Sequence, residues 1–318
     1  MAGYVIRRLL AAAVQACVVL VITFTLVRLT PGDPVTAYLS RVQSEASVSP
    51  EHIALIRRQL GLDRPVVVQF WLYARRVLRG DLGISYTQSE PVLRIVFSQL
   101  PYTVQLALAA LLIEVAVGLP LGVVAATRRG TALDYLATTA ATAAYSLPRF
   151  WIGMVLILVF AVRFGMFPVI GVGAEGDLVD IVHHLVLPAV ALGLAGAAYI
   201  ARMTRSAMLE VLGEDYVRTA RAKGVAEAIV LRHHALRNAL IPVVTVIGVS
   251  LGRALGGSAI IETLFGRVGI GSLLVEAITQ RDYALVQGAI LIFALGVFLV
   301  NLGIDIAYAW LNPRIRYT

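Results

Sequence analysis

Charge, cysteine and lysine are the scarce ingredients of this chain. Only 14% of its 318 residues are charged, too few to cover the surface of a soluble protein of this length. Its one cysteine, Cys17, excludes an intrachain disulfide and any cysteine-based metal site. Lysine occurs once, as Lys223, with Gly224 behind it, so no GxxxxGK[ST] phosphate-binding loop exists. HExxH and a GxSxG nucleophile with partners are absent too, which leaves no catalytic residue and no metal ligand set to name. His183 and His184 form a pair, but no acidic or cysteine cluster at ligand spacing surrounds them, and they are expected to be interfacial.

What the chain does have is hydrocarbon. Hydrophobic residues make up 59% of it, and its mean hydropathy is +0.83. Six runs are apolar enough to cross a bilayer, which takes about 20 helical residues: Leu9 to Val27, Pro101 to Ala126, Leu133 to Val162, Leu185 to Ile200, Ala239 to Ile261 and Ala284 to Trp310. The expectation is an all-α integral membrane protein with six transmembrane helices. The net charge of +8 does not point to nucleic acid, because the arginines sit at the ends of apolar runs rather than in one patch interleaved with aromatics. The lipid bilayer is the partner this pattern fits.

Three regions follow: an anchor helix over residues 1–29, an extracytoplasmic segment over 30–100, and a core over 101–318. The first run follows Arg7 and Arg8, and LTPGDP after it offers no small-x-small cleavage site, so it reads as a retained signal anchor. Arg7/Arg8, Arg128/Arg129, the cluster from Arg202 to Arg237 and Arg314/Arg316 alternate in step with six crossings, which places both termini in the cytoplasm. The arginine-containing segment from Arg28 to Leu100 is too long for the charge rule and is placed outside. Within it, SPEHIALIRRQLG predicts a helix capped by Ser49 and closed by Gly61, and a second amphipathic stretch runs from Val66 to Leu78.

A charged hairpin at about 203–238 interrupts the apolar pattern of the core. Glu214 and Asp215 open a helix that Arg218, Arg221 and Lys223 close, a polarity that complements the helix dipole. Gly224 is placed to end it in the left-handed conformation, and a second helix from about Ala226 presents Ile229, Val230, Leu236 and Leu240 at helical spacing. Thr219, Ala220 and Ala222 make a small face. Among intramembrane polar groups, Glu114 is the sharpest candidate for a substrate path, as a pore-lining or protonatable site or as a carboxyl bonded to a neighbouring helix. Ser146 joins it as a candidate, and Asn301 and Asp305 share a face at i, i+4, where a packing or gating contact is expected. Pro120, Pro148 and Pro188 fall within spans and should kink them.

RTARAKG from Arg218, followed by HALRNALIP from His234, resembles the cytoplasmic signature loop of bacterial ABC-importer permeases in its dipeptide/oligopeptide/nickel version. TPGDP at Thr30, LGLDRP at Leu60, RGDLGISY at Arg79, SLPRFW at Ser146, FPVIG at Phe167, RDYALVQG at Arg281 and NPRIRY at Asn312 are similar to that family in the same order. The resemblance covers essentially the whole chain, and the long segment after the first span looks like the B-type subunit. Two departures stand out. The general importer signature, Glu-Ala-Ala then Gly then Leu-Pro, is here Arg218, Thr219, Ala220, Gly224, Leu236 and Arg237, and FGRVGIG has Val268 where the family usually shows proline.

The resemblance implies a type I importer fold in the bacterial plasma membrane, importing di- or oligopeptides, or alternatively nickel or another small solute. It implies four kinds of partner: a second, C-type permease, two nucleotide-binding ATPase subunits, an extracytoplasmic solute-binding protein and lipid. No cofactor would be bound by this chain, since ATP and Mg would sit on the ATPases. Asp215, Tyr216, Arg218, Thr219, Ala220, Arg221, Lys223 and Gly224 would form the coupling hairpin that docks on an ATPase. Two other classes, a proton-driven carrier working through Glu114 and an intramembrane enzyme, would have to work without ATPase subunits. The carrier would also show inverted repeats, and none is detectable.

Overall fold

A computed structural model describes residues 2–29 and 63–311. The expected helix from Ser49 to Gly61 and the motifs at Thr30 and Asn312 lie outside the described residues. In chain order the helices are α1 (Ala2–Leu29), α2 (Val66–Leu78), α3 (Val92–Thr127), α4 (Ala132–Ser146), α5 (Arg149–Arg163), α6 (Leu178–Leu212), α7 (Asp215–Ala222), α8 (Glu227–Leu264), α9 (Ile270–Thr279) and α10 (Tyr283–Leu311). Among the described residues there is no strand, only an isolated antiparallel bridge between Ile84 and Pro91.

Among the described residues, four stretches are single helices long and apolar enough to span a membrane: α3, α6, α8 and Tyr283–Ile304 of α10. The run expected as one helix from Leu133 to Val162 is instead the pair α4 and α5, bent by 104°. Pro148 explains the break: it cannot donate to the helical ladder, and Leu147 before it is extended at ψ 138°. The other two prolines behave differently, since α3 runs through Pro120 and α6 through Pro188 without interruption. α6 also starts a full two turns earlier than its apolar run, because Asp177 caps it by accepting from the amides of Val179 and Asp180 at 2.9 and 3.1 Å.

The chain divides into two compact units, 1–101 with 270–299 and 102–269 with 300–318. In the first, Phe24 of α1 meets Phe70 of α2 edge-on at 5.2 Å and stacks on Tyr73 at 5.9 Å. A second core there joins Val92, Ile95 and Val96 to Ile270, Leu273 and Leu285. Trp71 and Val67 on the other face of α2 stay exposed, as in a helix lying at an interface.

Packing in the second unit depends on missing side chains. A Cβ at Gly118 or Gly122 of α3 would stand 2.5 Å from the carbonyl oxygen of Ala197 or Ala201 in α6, and one at Gly193 would stand 2.6 Å from that of Ala110. These two helices therefore touch backbone to backbone, the close approach that small residues four apart allow between apolar helices. Around that seam Ile200, Met208, Ala235, Ala239 and Val243 form the core that carries α8.

Candidate coupling hairpin and buried polar sites

α7 forms where the charge polarity predicts, with Asp215 in its first turn and Arg221 in its last. Gly224 then adopts φ +75°; its amide donates to Arg221 and that of Val225 to Ala220, the paired bonds that close a helix. A salt bridge joins Arg218 to Asp215, and the Thr219 hydroxyl donates to the Asp215 carbonyl at 2.9 Å. Asp215, Arg218, Thr219 and Lys223 are exposed and Tyr216 half-exposed. Ala220 is the exception among the predicted residues: it is buried with Val217 and Val230 and faces the protein.

Two contacts tie this helix to the one that follows. The Arg221 guanidinium donates twice to the Glu227 carboxylate at 3.1 and 2.7 Å, which holds Arg221 above its ordinary pKa, and Asn238 donates to the Tyr216 hydroxyl at 2.8 Å. Neither Glu227 nor Asn238 was singled out from the sequence, although the Arg-Glu separation across a glycine turn was a usable signal. The second helix differs from expectation. From Val230 to Leu236 it is π-helical and then continues into the span without a break. The wider turn shifts the register, so Val230, Ala235 and Ala239 point inward while Ile229 is exposed.

Asp282 anchors a second polar site, in the first unit. This fully buried carboxylate accepts from the Ser85 hydroxyl at 2.6 Å, from the Thr87 amide and hydroxyl at 3.0 and 2.9 Å, and from the Leu285 amide at 3.1 Å. RGDLGISY and RDYALVQG, distant in sequence, are thus one structure. In the second unit, the FGRVGIG turn places Gly266 at φ +50° and buries Arg267, whose guanidinium donates to Gln105 at 2.6 Å. Burial holds Arg267 below its ordinary pKa, against the pull of Glu262, which itself accepts from Thr103 at 2.8 Å. Val268 stands half-exposed in that turn, so its substitution for proline leaves the core untouched.

Glu114 lies at mid-span of α3, 2% exposed. Ser250 stands close to its carboxyl, and Oε2 has no hydrogen-bond partner. Gly196 makes room for it, since a Cβ there would fall 2.0 Å from the carboxyl carbon. Arg149 and Arg253 act on it electrostatically. Of the other expected path residues, Ser146 and Asn301 make their described contacts elsewhere. Ser146 donates to the carbonyl of Thr142 one turn back, Asn301 rests its Oδ1 over Gly252, and the side chain of Asp305 lies outside the described residues. The residues missed were Ser250, Arg149 and Arg253; the rule that picked out Glu114, a charge inside an apolar run, applies equally to both arginines. His183 donates to the carbonyl of Met166 at 2.6 Å and His184 to that of Asp180 at 2.9 Å.

Residues 118–317 match the family described as "Binding-protein-dependent transport system inner membrane component", and residues 1–107 match the N-terminal part of the same kind of component. The chain belongs to this family. It is therefore a multi-pass inner-membrane component of a transport system. It is 40% identical to the dipeptide transport system permease protein DppB of Escherichia coli (strain K12), over 100% of this chain and 99% of that one. It is 44% identical to the di/tripeptide transport system permease protein DppB of Pseudomonas aeruginosa (strain UCBPP-PA14), with the same coverage. Identity is 42% to the glutathione transport system permease protein GsiC of Salmonella paratyphi A, over the whole of both chains. Among solved structures, an inward-facing conformation of the MetNI methionine ABC transporter superposes with a TM-score of 0.56 at 21% identity, covering 71% of this chain and 100% of that one. That likeness establishes the type I importer permease fold.

Proposed function

We propose that this permease takes up short peptides, as one half of a pore completed by a second, C-type permease, fed by an extracytoplasmic binding protein and driven by two separate ATPase subunits. ATP and Mg belong to those subunits. Both chain termini and the hairpin lie in the cytoplasm. Peptide cargo is favoured over nickel or another small solute because the relatives named for dipeptides, di/tripeptides and glutathione match the full chain.

One observation carries the coupling role: α7 offers an exposed polar face yet is joined to α8 by the Val217/Ala220/Val230 cluster, the Arg221–Glu227 pair and the Tyr216–Asn238 bond. A docked ATPase pushing on Asp215, Tyr216, Arg218, Thr219 or Lys223 moves the start of a span with it. ATP on one side and a loaded binding protein on the other then bias two discrete states. Gly224→Pro forbids φ +75° and so should disconnect the hairpin. In liposomes holding the complete assembly, ATP-dependent uptake of a labelled dipeptide should collapse in this variant while the purified assembly keeps its composition. Unchanged uptake in the variant, or uptake without ATP, overturns the reading.

A further inference from the structure

Three neighbouring arginines of the second unit have no carboxylate within ion-pair distance among the described residues: Arg149, Arg202 and Arg253. The nearby Arg205 differs, because its guanidinium is taken by Asp134 through bonds of 2.7 and 2.8 Å. Arg202 lies over the rings of Tyr145 and Tyr199, at 5.2 and 5.5 Å from their centroids, and Arg253 lies over the same Tyr199 ring at 4.9 Å. The two tyrosines stack at 6.2 Å. Cations and rings thus alternate from α4 across α6 to α8. Arg149 continues the set, its guanidinium resting on the bare backbone of Gly257, where a Cβ would stand 2.1 Å from Nη1.

Position along the helices makes this array run from the hairpin end of α6 toward the middle of α8. Arg202 stands 10 residues before the end of α6 and Arg253 is 16 residues past Arg237 in α8, about 15 and 24 Å at the helical rise. Arg202 and Arg253 are nevertheless exposed. A cavity of about 270 Å³ opens beside Arg202, lined among others by Thr138, Thr142, Tyr145, Arg205 and Ser206, and Arg253 adjoins it through the Tyr199 ring that it shares with Arg202. A guanidinium costs several kcal/mol in hydrocarbon, so these groups face water or an anion. Among the described residues the carboxyl that these arginines act on, Glu114, is buried with Ser250 beside it. Three cations against one acid leave a positive field, concentrated by low-dielectric walls.

The geometry points to Arg202 and Arg253, spaced by Tyr145 and Tyr199, as a binding track for a carboxylate of the cargo within the translocation path. Guanidinium forks match carboxylates in two-point hydrogen bonding, and stacking on the tyrosines holds each fork in place before the anion arrives. The assignment deepens the peptide reading and rests on it, since a short peptide presents one such carboxylate at its C-terminus. Arg149 sets the field from α5, and Glu114 keeps the positive charge from trapping the anion.

Two measurements on the reconstituted assembly test this. With Cys17→Ser as background, Thr142→Cys or Ser206→Cys is labelled with methanethiosulfonate reagents carrying either a sulfonate or a trimethylammonium group. The anionic reagent should react at least tenfold faster, and Arg202→Gln with Arg253→Gln should abolish that ratio. Dipeptide uptake should fall more than tenfold in the double Gln variant, with partial recovery in Arg202→Lys and Arg253→Lys, while ATP hydrolysis stays within twofold. Resistance of both cysteines to both reagents would mean a lipid-facing array, and loss of the second permease from the purified Gln variant would mean a subunit interface. Either outcome overturns the track, as does uptake that ignores the arginines. A retained labelling ratio without dipeptide uptake in the wild type would instead refute the peptide reading and keep the anion track.

Discussion

Asp282 and Glu114 are both acids buried in a membrane protein, and they are buried in opposite ways. Asp282 accepts four hydrogen bonds from groups that need an acceptor, so its carboxylate has become part of the loop architecture. Glu114 has Ser250 beside it, an oxygen without a partner, and arginines close enough to act on it. A polar group that is fully satisfied rigidifies its surroundings. One that lacks a partner leaves its surroundings less firmly tied. The difference is between a carboxylate built into a loop joint in the first unit and one that is left partly unsatisfied between the helices of the second.

The largest effect expected from breaking this contrast belongs to Asp282→Ala. Ser85, Thr87 and Leu285 would lose a buried acceptor together, which should cost about 3 kcal/mol or more. Thermal unfolding of the detergent-purified protein would show it. Gly196→Ala comes next at about 1–3 kcal/mol, because its Cβ must displace the Glu114 carboxyl. Combining it with Glu114→Ala should recover about 1 kcal/mol or more of that loss, and strict additivity would show that the two do not share space. Glu114→Gln alone should change stability by less than about 1 kcal/mol, since the amide oxygen can still accept from Ser250. Equal melting losses for Asp282→Ala and Glu114→Gln would erase the distinction. The smallest effect on stability, about 0.5 kcal/mol or less, is expected for Arg221→Ala, whose ion pair is exposed. The same substitution should lower ATP-dependent uptake if that pair transmits motion from the hairpin.

Much of the hairpin was legible in the sequence because its signals are local. Acidic residues at one end of α7, basic ones at the other and a glycine after it act within a few residues. Its continuation was misread at Ile229 because a π-helical stretch alters the register without leaving a mark in the residue pattern. The break at Pro148 could be anticipated as a kink, but the same reasoning applies to Pro120 and Pro188 and does not tell a broken helix from one that stays continuous, as both of those do. Neighbouring helices and local adjustment compensate for a lost bond at some prolines and not at others.

By itself the sequence determined the membrane class, the apolar runs, the charged hairpin and the family, since each follows from composition or from short-range order. Only the tertiary structure decided which polar groups meet. Ser85 and Asp282 stand 197 positions apart. The Glu114 carboxyl finds room only because Gly196 has no side chain, and Arg202 shares a ring with Arg253 only because α6 and α8 pack side by side. Such pairings depend on how close whole helices come and on how they are rotated, and that is set by the fit of small residues along their contact lines rather than by any residue's immediate neighbours.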